Sequence, residues 1–166
     1  MIPSGLLPPR KPETHKGELG RVFILAGSVG LSGAAALCAG GALRVGAGLV
    51  TLGTPKRLFE VMAQRLTEAM VRPLAETKDG CLSVQAFPEV VRAIEASDAV
   101  AIGPGLSRHP QTKALVQRLV PMITKPLIVD ADGLNNLAED VGVLKKRALP
   151  RLVAPPPGEV GRLLRQ

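Results

Sequence analysis

The sequence contains no tryptophan and no tyrosine, and only three phenylalanines among its 166 residues. Proteins that hold single strands or splayed RNA bases depend on aromatic stacking platforms. The formal net charge of +7 therefore does not argue for nucleic acid, and a polyanionic small ligand or plain solubility accounts for it. Cysteine is scarce as well. Cys38 and Cys81 show no CxxC spacing and no clustering with histidine, which speaks against a thiolate metal centre or a disulfide framework and for two idle thiols in a reducing compartment. His15 and His109 are flanked by polar or proline residues and are expected in solvent. Long apolar runs are missing, so no segment is suited to cross a bilayer, and the first residues lack the apolar centre of a secretory signal. These absences together lead us to expect a cytoplasmic protein with neither membrane nor nucleic-acid partner.

What the sequence has in quantity is small and branched aliphatic residues. Hydrophobic residues make up 46% and glycine contributes 18 positions, the composition of one packed globular domain. Residues 1–20 carry Pro3, Pro8, Pro9 and Pro12, which deny a helix its hydrogen bonds and predict an arm or interdomain linker ahead of a domain over 21–166. From there strand and helix patterns alternate. Strands are predicted at Arg21–Ala26, Leu49–Leu52, Ala69–Val71, Asp98–Ile102 and Leu127–Val129, with Leu152–Val153 as a further candidate. Helices are predicted at Ala34–Val45, Lys56–Gln64, Gln85–Ala96 and Thr112–Val120. Gly40 and Gly41 lie inside the first helix, at about 1 kcal/mol each in propensity, and are read as permitting close helix-on-sheet packing. Such alternation implies right-handed crossovers and a mostly parallel sheet covered on both faces, an α/β fold.

Ligands of such sheets bind beyond the carboxyl ends of the strands, and three unusual segments are predicted there. The first, Ala26-Gly27-Ser28-Val29-Gly30-Leu31-Ser32-Gly33-Ala34-Ala35, places Gly27, Gly30 and Gly33 before a helix N-terminus, a phosphate-loop arrangement. Its GxxGxxG spacing is neither the dinucleotide GxGxxG nor a Walker A loop, and Gly53-Thr54-Pro55 stands where a ribose-binding acid would close the second strand. The second, Gly103-Pro104-Gly105, lets backbone approach a ligand closely. The third, Asp130-Ala131-Asp132-Gly133-Leu134-Asn135, sets two carboxylates at a strand end, where they can orient a hydroxyl or hold a metal-bound water. The plainer reading of Asp132 is a cap for the helix that follows. Pro157-Gly158-Glu159 reads by itself as ordinary helix-start chemistry.

In this order, His15-Lys16-Gly17, the AGSVGLSGAA loop, the stretch Ala42–Thr51, Leu66–Met70, Ala101–Ser107, the Asp130–Asn135 motif and Pro157-Gly158-Glu159 resemble the ADP/ATP-dependent NAD(P)H-hydrate dehydratase family. The resemblance runs from His15 to Leu164. It implies a ribokinase-like three-layer fold, truncated at the C-terminus, and a lyase reaction that returns the S-epimer of hydrated NAD(P)H to NAD(P)H, driven by ADP or ATP with Mg²⁺. Carried over by position, Ala34 and Ala35 would lie against the hydrated dinucleotide, with Gly103 and Gly105 beside it. Asp130, Asp132 and Asn135 would line the cleft near the reacting end, and Glu159 would order the metal. Pro156 stands where the family has a substrate-contacting histidine, which removes a donor. The family's nucleotide loop and catalytic base would lie beyond Gln166, so a chain of these residues alone is expected to be inactive. A fused or separate epimerase domain and a homo-oligomer of the complete enzyme are further implications. Two other readings stay open: a non-catalytic dinucleotide-binding remnant, and a Rossmann-type oxidoreductase.

Overall fold

The β-branched run after Gly20 forms β1 (Arg21–Leu25), whose last three residues are buried. Period-two alternation sends Phe23 and Leu25 into one hydrophobic cluster and Ile24 into another, so β1 lies at the centre of a sheet buried on both faces. The computed structural model describes residues 15–139 and 151–154, with Glu13, Gly142 and Leu144 besides. Around β1 it arranges β2 (Leu49–Pro55), β3 (Met70–Leu74), β4 (Ala99–Ile102), β5 (Leu127–Val129) and β6 (Arg151–Val153). The order is β3-β2-β1-β4-β5-β6, and every pairing is parallel.

Among the described residues five α-helices cover the two faces. On one side α1 (Ser32–Val45) and α2 (Phe59–Arg65), with Leu58 of the 3-10 turn before α2, pack Ala35, Ala36, Ala39, Leu58 and Met62 onto Ile24, Val50 and Leu52. On the other, α3 (Phe87–Glu95), α4 (Pro110–Leu119) and α5 (Asp132–Leu137) pack Val90, Ile94, Leu115, Leu119 and Leu134 onto Phe23, Val100, Ile102 and Leu127. Each cluster has its own apolar face of the sheet, and at about 25 cal/mol per Å² such burial is the main favourable term in folding.

β2, β3 and α1 run longer than the sequence pattern predicts. β2 continues through Gly53, Thr54 and Pro55, which pair with Arg72, Pro73 and Leu74 of β3. Gly53 is required there for packing rather than for a turn: a Cβ on it would stand 2.8 Å from the Phe23 ring and 2.9 Å from Leu74. Pro73 is tolerated because β3 lies at an edge of the described sheet, where a missing N–H breaks no ladder. The close-packing role expected of Gly40 and Gly41 is not observed. A Cβ on Gly41 would meet nothing within 4 Å, and one on Gly40 only the Arg44 guanidinium; the alanines make the close approach instead. Within the expected N-terminal arm, Lys16–Leu19 form a 3-10 turn, and the Leu19 and Gly20 carbonyls accept from the Gly48 N–H.

Candidate functional site

In a parallel sheet all strand carboxyl ends meet at one rim, and a crevice opens where chain order reverses, here between β1 and β4. The loops after these two strands are bound to each other across it. Gly27 N–H donates to the Pro104 carbonyl at 2.9 Å and Gly103 N–H to the Leu25 carbonyl at 3.1 Å. The fully buried Ser28 hydroxyl donates to the Gly105 carbonyl at 2.8 Å. The sequence-predicted Gly27, Gly103 and Gly105 are thus gathered into one structure.

Sterics explain why these positions are glycine. Gly27 has φ +87°, and a Cβ on it would stand 3.0 Å from Thr54 Oγ1 and 3.1 Å from the Ala35 methyl. Gly105, at φ +68°, would meet the Leu31 carbonyl at 2.6 Å and the Ala34 methyl at 3.1 Å. A Cβ on Gly103 would overlap the Asp130 carbonyl. Gly30 needs only its positive φ of 86°. Gly33 is different, since its φ is not positive and nothing in the protein lies within 4 Å of a Cβ there. It sits in the first turn of α1, where main-chain N–H groups have no intrahelical partner. Ala34 is half-buried, whereas the Ala35 side chain is fully buried beneath Gly27. Thr54 Oγ1, on the floor of this loop, is a buried hydroxyl without a hydrogen-bond partner.

Asp130 and Asp132 reach the same rim, with Asp130 N–H donating to the Ile102 carbonyl at 3.1 Å. Their environments differ. Asp130 is half-buried and accepts at one oxygen from the Ala131 N–H at 2.8 Å; burial pushes the Cys38 thiol of α1 up, and the Asp130 charge adds to that. Asp132 has both oxygens engaged by the protein, accepting from Ser107 N–H at 2.9 Å and from Asn135 Nδ2 at 3.2 Å. Helix capping does not account for Asp132: Ala131 is the N-cap of α5, and Asp132 lies inside the first turn. Its carboxylate instead ties α5 to the loop after β4.

The expectation that His109 lies free in solvent is also corrected. His109 caps α4, accepting at Nδ1 from Gln111 N–H at 3.1 Å, and its Nε2 stands 3.4 Å from Asp79. Cys38 and Cys81 are both free thiols, and Cys81 Sγ accepts from the Ser107 hydroxyl at 3.1 Å. Pro156 and Glu159 lie outside the described residues. Sequence reasoning missed Ser28, Thr54, Ser107 and Asn136, whose hydroxyls and amides are joined or left over only by folding. It also missed the turn at Thr77–Cys81, whose Gly80 carbonyl accepts from Val29 N–H at 3.0 Å. A cleft of about 550 Å³ opens beside this turn at the ends of β2 and β3. Another, of about 390 Å³, is lined by Arg21, Leu49 and Met70 at the opposite strand ends, away from every loop described above.

A family model described as NAD(P)H-hydrate dehydratase matches residues 22–166. A bifunctional NAD(P)H-hydrate repair enzyme from Moorella thermoacetica is 46% identical over 158 residues, covering 95% of this chain and 30% of the relative. The corresponding enzyme of Escherichia coli is 36% identical over 158 residues, with 95% and 28% covered. The chain therefore spans less than a third of the curated relatives it matches. Among solved structures, the ADP/ATP-dependent NAD(P)H-hydrate dehydratase of Bacillus subtilis, co-crystallised with ATP and Mg²⁺, superposes with a TM-score of 0.69 at 28% identity. That match covers 95% of this chain and 52% of the other. A ribokinase-like superfamily protein from Enterococcus faecalis gives a TM-score of 0.76 at 21% identity, over 93% and 51% of the two chains, and shows the fold alone. No helix among the described residues is long and apolar enough to cross a membrane.

Proposed function

Because the chain belongs to the NAD(P)H-hydrate dehydratase family, we propose that its glycine loops hold the S-epimer of hydrated NAD(P)H for dehydration back to NAD(P)H. The observation that carries this reading is the direct bonding of the Gly27–Ser28 and Pro104–Gly105 main chains at the β1/β4 switch point, the position where open α/β sheets take dinucleotides. Gly27, Gly30 and Gly33 shape the turn and the N–H groups of α1 for a phosphate. Ala34, the Ala35 main chain, Gly103 and Gly105 form a surface with little side-chain bulk against which the substrate lies. Asp130 and Asn135 face the reacting end, and Asp132 positions the loop that carries Gly105.

The Bacillus subtilis relative was crystallised with ATP and Mg²⁺, and ADP or ATP with Mg²⁺ is proposed here as well. Phosphoryl transfer to the ring hydroxyl would turn it into a better leaving group, and Mg²⁺ would neutralise the phosphates. Among the described residues no three His, Cys, Asp or Glu side chains come together as a metal site, and each Asp132 oxygen already accepts a hydrogen bond from the protein. The described residues do not by themselves fit the metal; Glu159 stays a proposed metal contact and Pro156 a proposed substrate neighbour. An epimerase domain, fused or separate, and a homo-oligomer complete the proposal.

Calorimetric titration of the chain with NADPH hydrate and with NADPH tests the reading. Binding is expected for both, and Gly33→Val, at a position where an added Cβ meets no protein atom within 4 Å, is expected to abolish it. Unchanged affinity in that variant would remove the glycine loop from the site.

A further inference from the structure

The cleft at the ends of β2 and β3 is lined by Lys56, Arg57, Phe59, Glu60, Pro73 and Glu76. It joins the glycine loop through one turn. A Cβ on Gly80 would stand 3.1 Å from Arg57 Cδ and would collide with the Val29 side chain, while Val29 N–H donates to the Gly80 carbonyl. Arg57 is therefore packed against the turn that holds the glycine loop.

In dinucleotide-binding sheets of the order 3-2-1-4-5-6, the order seen here, the end of the second strand receives the adenosine ribose. An acid there takes a free 2′-hydroxyl, and an arginine accommodates a 2′-phosphate. Here no acid closes β2, and Lys56 and Arg57 follow it directly. Arg57 is also oriented. Glu76 accepts from its Nε at 2.9 Å and from its main-chain N–H at 2.9 Å, which fixes the guanidinium plane at the cleft wall while the side chain stays 47% exposed. A planar, always-charged fork held in this way suits a phosphate. Phe59, one of only three phenylalanines, is exposed in the same cleft and offers a face on which a purine can stack.

We propose that Lys56, Arg57 and Phe59 form a subsite for a 2′-phosphorylated adenosine, so that this chain takes the hydrate of NADPH in preference to that of NADH. The proposal rests on the dinucleotide reading of the glycine loops. It also gives a sign to Glu60, the acid that shares the cleft with Glu76: Glu76 is engaged in orienting Arg57, and Glu60 opposes an incoming anion.

The test is calorimetric titration of the whole chain with NADPH and with NADH at low and high salt, with folding of each variant checked by circular dichroism. NADPH is expected to bind about tenfold more tightly, the size of one good charge-assisted contact, and the gap should narrow as salt screens it. Lys56→Ala, a change to an exposed side chain, should shrink the gap by weakening NADPH more than NADH, and Glu60→Gln should widen it. Arg57→Ala should shrink it too, but it also breaks the pair with Glu76, so the Lys56 and Glu60 variants carry the decision. Equal affinities in the parent chain, or a gap indifferent to Lys56→Ala and Glu60→Gln, would overturn the subsite and leave the glycine-loop reading standing. Failure to bind either dinucleotide would overturn both.

Discussion

Ser107 donates its main-chain N–H to the Asp132 carboxylate at 2.9 Å, and that bond joins the loop after β4 to the first turn of α5. Ser107 holds a positive φ of 68°, rare for a residue with a side chain. It is kept there from several sides: its carbonyl accepts from the buried Asn136 Nδ2 at 3.0 Å, and its hydroxyl meets both Cys81 Sγ and the His109 N–H. Asp132 is thereby a positioning residue, set apart from Asp130 although the two stand in one motif. Asp132→Ala is expected to cost about 1 kcal/mol, the typical net worth of such a bond between partly buried groups, and Asp132→Asn less. Urea unfolding measures it. A midpoint unmoved by Asp132→Ala would mean that the loop does not depend on this bond.

Gly27 and Gly33 are predicted to separate folding from binding. Gly27→Ala forces a side chain into a left-handed backbone against Thr54 and Ala35 and should destabilise the fold by about 1–3 kcal/mol. Gly33→Ala meets no protein atom and should leave stability unchanged or raise it by up to about 1 kcal/mol through helix propensity, while weakening dinucleotide binding. Thermal melts with and without NADPH report both effects. Loss of stability in Gly33→Ala would show that the fold, not a ligand, requires that glycine.

The difference between these two glycines also marks how far the sequence could be read. Strands such as Leu127–Val129 stand out because their residues are apolar on both faces, and the rim loops stand out because glycine and proline interrupt that pattern. The extension of β2 through Gly53 was hidden, since glycine and proline look like breakers until Phe23 is seen filling the space above Gly53. Long-range pairings were hidden for the same reason: Ser28 with Gly105, and Ser107 with Asp132, are separated by 77 and 25 residues. The Asp-x-Asp motif offered Asp132 as a helix cap beside Asp130, and only folding shows Asp132 tied to Ser107 and Asn135 instead.

Thr54 supplies a simple probe of the loop floor. Its hydroxyl is buried and unpartnered, a state that costs about 1–3 kcal/mol relative to a group that needs no partner. Thr54→Val keeps the branched shape and removes that demand, so the melting temperature is expected to rise. A fall would show that the hydroxyl makes a bond the fold depends on.

Stability should also depend on acid through Glu76. Burial by itself would raise this carboxyl, but hydrogen bonds from the Arg57 main chain and guanidinium, with the charges of Arg57 and Lys56, outweigh it and hold the group below the usual glutamate range. A carboxyl with a depressed folded pKa binds its proton less readily when folded than when unfolded, so its contribution is complete above the unfolded value. That contribution disappears as pH falls from the unfolded value through the folded one. The window opens downward from the ordinary glutamate value of about 4.3. Because Arg57 is partly solvent-exposed, screening limits the pair to at most about 1 kcal/mol. Chemical unfolding of the parent chain and of Glu76→Gln across this acid range is the measurement. The two curves should differ at neutral pH and converge in acid, and the difference should shrink at high salt. Curves that stay parallel to the lowest pH would mean that Glu76 is not held by Arg57 in solution, and the cleft wall built on that pair would lose its fixed cation.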